Sequence, residues 1–270
     1  MAGLTAPPII TLTTDFGLSD HYVGTIKGVI LTRCPNATIV DITHELPPFS
    51  ILAGAYAISQ TASFFPAGTI HVIVVDPGVG TERKAVLAEA SNQFFVAPDN
   101  GLLTLILNRD KRAVVREITN RSLWLDSPSQ TFHGRDVFSP VAAFLASGKA
   151  KPEDVGPVLD HPERFRDISP RQVQPGVWEG VVLSADRFGN LITNFLSSTS
   201  GTTFILDVNR HKVNRFHKTF GEASTGILFA YHGSSGFVEV GMNQQSAADA
   251  LGVSPGDRIT MFSAEAVQSW

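Results

Sequence analysis

The chain has 270 residues, 43% of them hydrophobic and 17% charged, with 25 acidic against 21 basic residues and a net charge of −4. That length leaves room for two domains or one large one with a buried core, and the composition is that of a globular protein. The absence of any Lys/Arg block argues against a nucleic-acid or anionic-membrane surface, and one cysteine, Cys34, excludes an intrachain disulfide.

The N-terminal MAGLTAPP lacks a basic n-region and an apolar h-region, and no apolar run approaches the roughly 18 residues of a membrane span. A cytoplasmic protein without a membrane partner is expected. Residues 8–16, PIITLTTDF, form a β-rich run closed by Asp15, Phe16 and Gly17. Residues 21–34 predict a helix with Val23, Ile26, Val29 and Ile30 on one face and Cys34 at its end. A strand over 37–43 and a helix over 50–65 follow, with Ser50 as the N-cap of the helix. Residues 69–76, TIHVIVVD, read as a buried third strand ending in Asp76. Short strands are expected over 85–90, 93–97 and 113–118, with an apolar helical turn at 101–108. A helix over 137–149 ends near Gly148.

This βαβα order predicts a mainly parallel sheet flanked by helices. Ligands on such sheets bind beyond the carboxyl ends of the strands, where Asp15, Asp41 and Asp76 are all placed. From 150 to 177 prolines and charges crowd together as in a linker. Beyond it, short alternating strands are punctuated by RFGN, NR, HGSSG and SPGD, with one short helix over 245–252. The predicted organisation is an α/β domain over 1–165, a linker over 166–177 and a smaller all-β domain, a barrel or a sandwich, over 178–270.

Common catalytic motifs are missing: the chain has no G-x-x-x-x-G-K-[ST] loop, no H-E-x-x-H, no C-x-x-C and no G-x-S-x-G elbow. No metal-ligand cluster is visible either. What remains is a set of polar residues at loop positions. Asp15 either accepts bonds from a ribose diol or is an N-cap or Asx-turn residue. DPGVGTER offers Asp76 and Arg83, as a catalytic pair or as a salt bridge bracketing a glycine turn. His133, beside Gly134, Arg135 and Asp136, is a general base, a polariser of water, or an ordinary loop histidine. Phe188 and Asn190 in DRFGN can stack on and pair with a planar base, or simply build a hairpin turn with Asn194 nearby. YHGSSG presents two hydroxyls and backbone N–H groups to a carboxylate, or is a plain loop.

The order of these motifs is more telling than any one of them. TTDFGLSDHYVGTIKGVI, IVDITHELPPFSILAGAYAI, VIVVDPGVGTERK, APDNGLL, TFHGRDVFSPVAA, FGNLITN and GSSGFVEV span nearly the whole chain. Together they resemble the S-adenosylmethionine hydroxide adenosyltransferases, relatives of the S-adenosylmethionine-dependent fluorinase and chlorinase. The resemblance implies an α/β domain with a smaller β-barrel, and a homotrimer whose sites lie between the first domain of one subunit and the barrel of the next. It implies hydrolysis of S-adenosylmethionine to adenosine and L-methionine, with no cofactor beyond the substrate and no metal. Asp76, Arg83 and His133 occupy the positions of the set that handles water. The halogenases differ there, with a tyrosine where Asp76 stands and a Tyr-Ser pair where His133 and Gly134 stand, which points to water as the nucleophile. Asp15 matches the acid that holds the ribose, Phe188 and Asn190 the adenine-side residues, and Phe220 an aromatic near the base. Ser234 and Ser235 fall where the methionine portion is held, and Met242 and Gln244 would contribute backbone contacts to adenine.

In the chemistry so implied, Arg83 and a protonated His133 supply positive charge to hydroxide. Asp76 orients Arg83, accepts a hydrogen bond from water, or acts as the base. The alternatives are halide-dependent adenosyl transfer and non-catalytic binding of S-adenosylmethionine or adenosine.

Overall fold

The computed structural model describes residues 6–166, 168–263 and 266. The chain divides into two units, Met1–Phe165 and Arg166–Trp270. In the first, β1 (Ile9–Thr14), α1 (Tyr22–Arg33), β2 (Thr38–Thr43), α2 (Ile51–Thr61) and β3 (Ile70–Val74) alternate. They are followed by β4 (Ala85–Ala90), β5 (Gln93–Pro98), α3 (Thr104–Arg109), β6 (Val114–Glu117) and α4 (Ser139–Ala146). The strands form one sheet in the order β2-β1-β3-β5-β4-β6. β1 pairs in parallel with β2 and β3, and β3 with β5, while β4 runs against both of its neighbours.

The β3 sequence is apolar except for His71 because both faces of its strand are covered. Val72 and Val74 pack with Ile26 and Ile30 of α1 and Val141 of α4. Ile73 and Val75 pack on the other face with Ile58 of α2 and Ile106 of α3. The Ser50 hydroxyl caps α2 by accepting the Ala53 N–H at 3.4 Å. That helix gives way after Thr61 to a 3-10 turn over Ala62–Phe64, which ends where Phe65, preceding Pro66, takes extended backbone. The helix expected from 137 begins as α4 at Ser139; Gly134–Phe138 form a π-helical turn leading into it. Gly148, at φ +68, ends it. Cys34 is a buried free thiol at the end of α1, and burial pushes its pKa up.

Asp41 is not at a strand terminus. It lies inside the edge strand β2, opposite Leu12, and its carboxylate meets Lys27 Nζ of α1 at 2.5 Å. This acid ties a helix to a sheet edge.

The second unit is an antiparallel barrel. Its strands are β7 (Arg171–Gln174), β8 (Val177–Ala185), β9 (Leu191–Leu196), β10 (Phe204–Val208), β11 (His211–Val213), β12 (Leu228–His232), β13 (Phe237–Met242) and β14 (Arg258–Ser263). Single helical turns α5 (Ser197–Ser200) and α6 (Ala247–Leu251) interrupt the series. The sheet path is β11-β10-β14-β8-β9-β13-β12. The chain after β11 nearly closes it, since Ala230 of β12 donates its N–H to the Arg215 carbonyl at 2.8 Å and accepts that of His217 at 3.0 Å. Alternate residues such as Val182, Leu191, Leu206 and Val240 fill the interior. Residues 171–174, expected as linker, are instead β7, an edge strand on β8. Pro170 and Pro175 bracket it, which an edge strand tolerates and which hides it from a reading based on proline content. Among the described residues no helix is long and apolar enough to cross a membrane.

His71 of β3 is fully buried, with Nδ1 at 2.7 Å from Thr11 Oγ1 and its ring stacked 4.8 Å from Phe95. Burial, against a smaller opposing effect of Gln93, lowers its pKa from 6.5 to about 4. The folded state therefore refuses a proton that the unfolded chain accepts below about pH 6.5, so stability is full above that pH and falls until about pH 4. Urea unfolding should show a loss of about 3 kcal/mol across this window from His71. In His71→Phe the slope of stability against pH there should be shallower by up to one proton.

Candidate active site

The crossover from β1 to β2 leaves on one side of β1, and the crossover from β2 to β3 returns on the other. The helices of the two crossovers, α1 and α2, consequently cover opposite faces of the sheet, and a crevice opens beyond the carboxyl ends of β1 and β3. A cavity of about 630 Å³ occupies it, lined by Asp15, Phe16, Phe49, Asp76, His133 and Arg135 among others.

Asp76 follows β3 by two residues, and Asn100 Nδ2 fixes the backbone before it by donating to the Val75 carbonyl at 2.9 Å. The chain then turns back through Gly78 and Gly80, and Arg83 meets both oxygens of Asp76 with one edge of its fork. Nε donates to Asp76 Oδ1 at 2.9 Å and Nη2 to Oδ2. Nη1 donates to the Lys84 carbonyl at 3.0 Å, and the guanidinium lies 5.4 Å from the Phe138 ring centre. The side chains are 8% and 6% exposed, so removing either partner would strand a buried charge at a cost of about 3–5 kcal/mol. Arg83 lies behind Asp76 and His133 and does not line the cavity itself.

Arg83 Nη2 also lies 3.0 Å from His133 Nδ1. A guanidinium has no acceptor, so Nδ1 must accept and the proton sits on Nε2. The protonated His133 expected above is thereby corrected. Burial first, then the Arg83 charge, hold its pKa below 6.5 against the weaker opposing pull of Asp76 and Asp136, and the ring is neutral.

The His133 loop is closed by Asp136, which is fully buried. Its carboxylate accepts the Ser129 N–H at 2.7 Å and Arg135 Nε and Nη2 at 2.6 and 3.0 Å. Gly134 is pressed between two rings, since a Cβ there would lie 3.3 Å from Phe16 and 3.4 Å from Phe132. Gly80, at φ +78, has no room for a Cβ either, because the Gln130 carbonyl occupies its place. The loop carrying Arg83 and the loop carrying His133 meet at that contact.

Asp15 Oδ2 accepts the Phe49 N–H at 2.9 Å, which helps hold Phe49 at φ +66 with its ring exposed beside the cavity. Asp15 therefore makes neither an N-cap nor an Asx turn, since Phe16 N–H goes to Thr14 Oγ1 and Gly17 N–H to the His44 carbonyl; its Oδ1 has no partner among the described residues.

In the second unit Phe188, Asn190, Phe220, Met242 and Gln244 line a separate cavity of about 630 Å³. Asp186 organises this turn by accepting the backbone N–H groups of Phe188 and Asn190 at 2.9 and 2.8 Å and Asn190 Nδ2 at 2.8 Å. Phe188 is 77% exposed, and Gln244 sits at φ +59. Ser234 and Ser235 do not line that cavity. Ser234 is exposed, and the Ser235 hydroxyl donates to Glu239 Oε1 at 2.9 Å, while Tyr231 donates to Oε2 at 2.6 Å. Asn194, read as a turn residue, is a buried brace within β9 that accepts the Val181 N–H and donates to the Ile168 carbonyl, both at 2.9 Å.

Asn100, Asp136, Glu239 and the contact at Gly80 escaped sequence reasoning. Each acts through a partner distant in the chain or through a missing side chain, and neither leaves a periodic signal.

Family models of the SAM hydroxide adenosyltransferase N-terminal and C-terminal domains match residues 10–156 and 180–260. A protein of Thermus thermophilus named (R)-S-adenosyl-L-methionine hydrolase is 42% identical over 250 residues, covering 90% of this chain and 95% of its own. A fluorinase of Nocardia brasiliensis is 30% identical over 279 residues, covering 89% and 92%. The crystal structure of an uncharacterized conserved protein from Thermotoga maritima superposes with a TM-score of 0.83 at 39% identity, over 94% of this chain and 99% of that one. Both units being matched in order, the chain belongs to the SAM hydroxide adenosyltransferase family.

Proposed function

We propose that the protein hydrolyses S-adenosyl-L-methionine to adenosine and L-methionine by in-line attack of water or hydroxide at C5′. The observation that carries this reading is the Asp76–Arg83–His133 set, joined by hydrogen bonds at the wall of the cavity. The Thermus relative's name specifies the R configuration at sulfur, and we extend that epimer to this chain as a substrate.

The substrate brings its own leaving group, a sulfonium that departs as a neutral sulfide. The enzyme must therefore align a poor nucleophile with the C5′–S bond, and orientation near 3 Å supplies several kcal/mol of the barrier. Neutral His133 offers one donor, Nε2–H, to the water oxygen. Asp76 faces the same cavity as an acceptor, so a water held between them has a lone pair left for C5′. As the C5′–O bond forms, the departing proton passes to Asp76, because His133 has no free acceptor in this tautomer. Arg83 holds both groups from behind and is a positioning residue.

Asp15 is the proposed ribose acid, and Phe188, Asn190, Phe220, Met242 and Gln244 are the proposed adenine side. These residues lie in different units, each lining its own cavity. The family resemblance supports a site completed by both, in a cytoplasmic trimer that joins the first unit of one subunit to the barrel of the next.

Incubation with S-adenosylmethionine in 18O-water should give adenosine labelled at the 5′ oxygen, equally with and without chloride. Asp76→Asn should lower turnover roughly 100-fold or more. Binding without product would instead make this a binding protein. The kcat/KM profile should be flat above pH 6.5 and fall on the acid side as His133 gains a proton on Nδ1 and loses its bond to Arg83. NMR of Arg83→Gln should show the His133 titration moved upward, since the Arg83 charge is one cause of its depression.

A further inference from the structure

Arg83 is not placed to meet the negative end of a substrate, because it does not line the cavity and four of its five N–H groups go to Asp76, His133 and the Lys84 carbonyl. A different arginine, Arg135, lines the cavity. Arg135 binds Asp136 through Nε and Nη2, while Nη1 has no acceptor among the described residues. Its side chain is 35% exposed, and its guanidinium is stacked 5.1 Å from the Phe132 ring centre. Asp136 is fully buried and anchored by the Ser129 N–H, so the pair cannot swing out together. One edge of a rigid fork is thus left open, with one N–H from each Nη, which is the geometry that receives a carboxylate.

Ser235 is a poor alternative for that task. Its only proton goes to Glu239, a buried carboxylate that also accepts from Tyr231. A serine so oriented offers lone pairs backed by negative charge, which suits an ammonium group better than a carboxylate.

We infer that Arg135 receives the α-carboxylate of the substrate's methionine portion, an assignment that rests on the hydrolase reading above. The test compares S-adenosylmethionine with its decarboxylated form on the wild type, Arg135→Gln and Arg135→Lys. A charge-assisted bond of this kind predicts that the wild type prefers the carboxylated substrate roughly tenfold to hundredfold in kcat/KM. That preference should fall to near unity in Arg135→Gln and to an intermediate value in Arg135→Lys. A merely structural arginine would depress both substrates alike and leave the ratio unmoved, and that result would overturn the assignment, as would a wild type with no preference. If the wild type turns over neither compound, the hydrolase reading fails. The same ratio measured as Kd by calorimetry then decides the role of Arg135 by itself.

Discussion

One guanidinium organises the first unit's site. The N–H groups of Arg83 are shared among a carboxylate, an imidazole and a backbone carbonyl, and each bond constrains what its partner can do. Asp76 is held at the crevice by both carboxylate oxygens, and His133 is fixed as a neutral donor because the arginine can only donate. Two groups from distant parts of the chain thereby receive opposite hydrogen-bonding roles before any ligand arrives. Preorganisation of this sort removes reorganisation from the reaction step, which is where polar active sites gain most.

The sheet supplies the position for this hub. Because the first two crossovers depart on opposite sides of β1, the crevice falls between β1 and β3, and the loops after them carry Asp15 and Asp76 to its wall. Apolar packing on both faces of β3 keeps that wall stiff, and Asn100 pins the peptide just before Asp76. Loop bonds extend this frame: Asp15 holds Phe49, Asn100 holds the Val75 carbonyl and Asp136 holds Ser129.

Much of this was legible in the chain. The apolar run of β3, the Ser50 cap and the turn through DPGVG announced an α/β sheet with an acid and an arginine at its mouth. The alternating strands after residue 177 announced a barrel or a sandwich, and the family resemblance chose the barrel. What was hidden depended on tertiary partners. Asp41 looks like Asp76 in sequence, and only Lys27, on the adjoining helix, shows it to be a brace. The tautomer of His133 could not be read without knowing that an arginine lies against Nδ1. Strand β7 was masked by its flanking prolines, and Glu239 by its place in an ordinary alternating strand.

Gly80 carries a consequence for how this protein tolerates change over evolutionary time. It lies at the surface, where substitutions usually drift freely, yet the Gln130 carbonyl fills the space of its missing side chain. A larger residue there would leave both hydrophobic cores untouched while parting the two loops that bear Arg83 and His133. Selection for a folded, abundant protein would therefore overlook this position, and only selection for turnover would guard it.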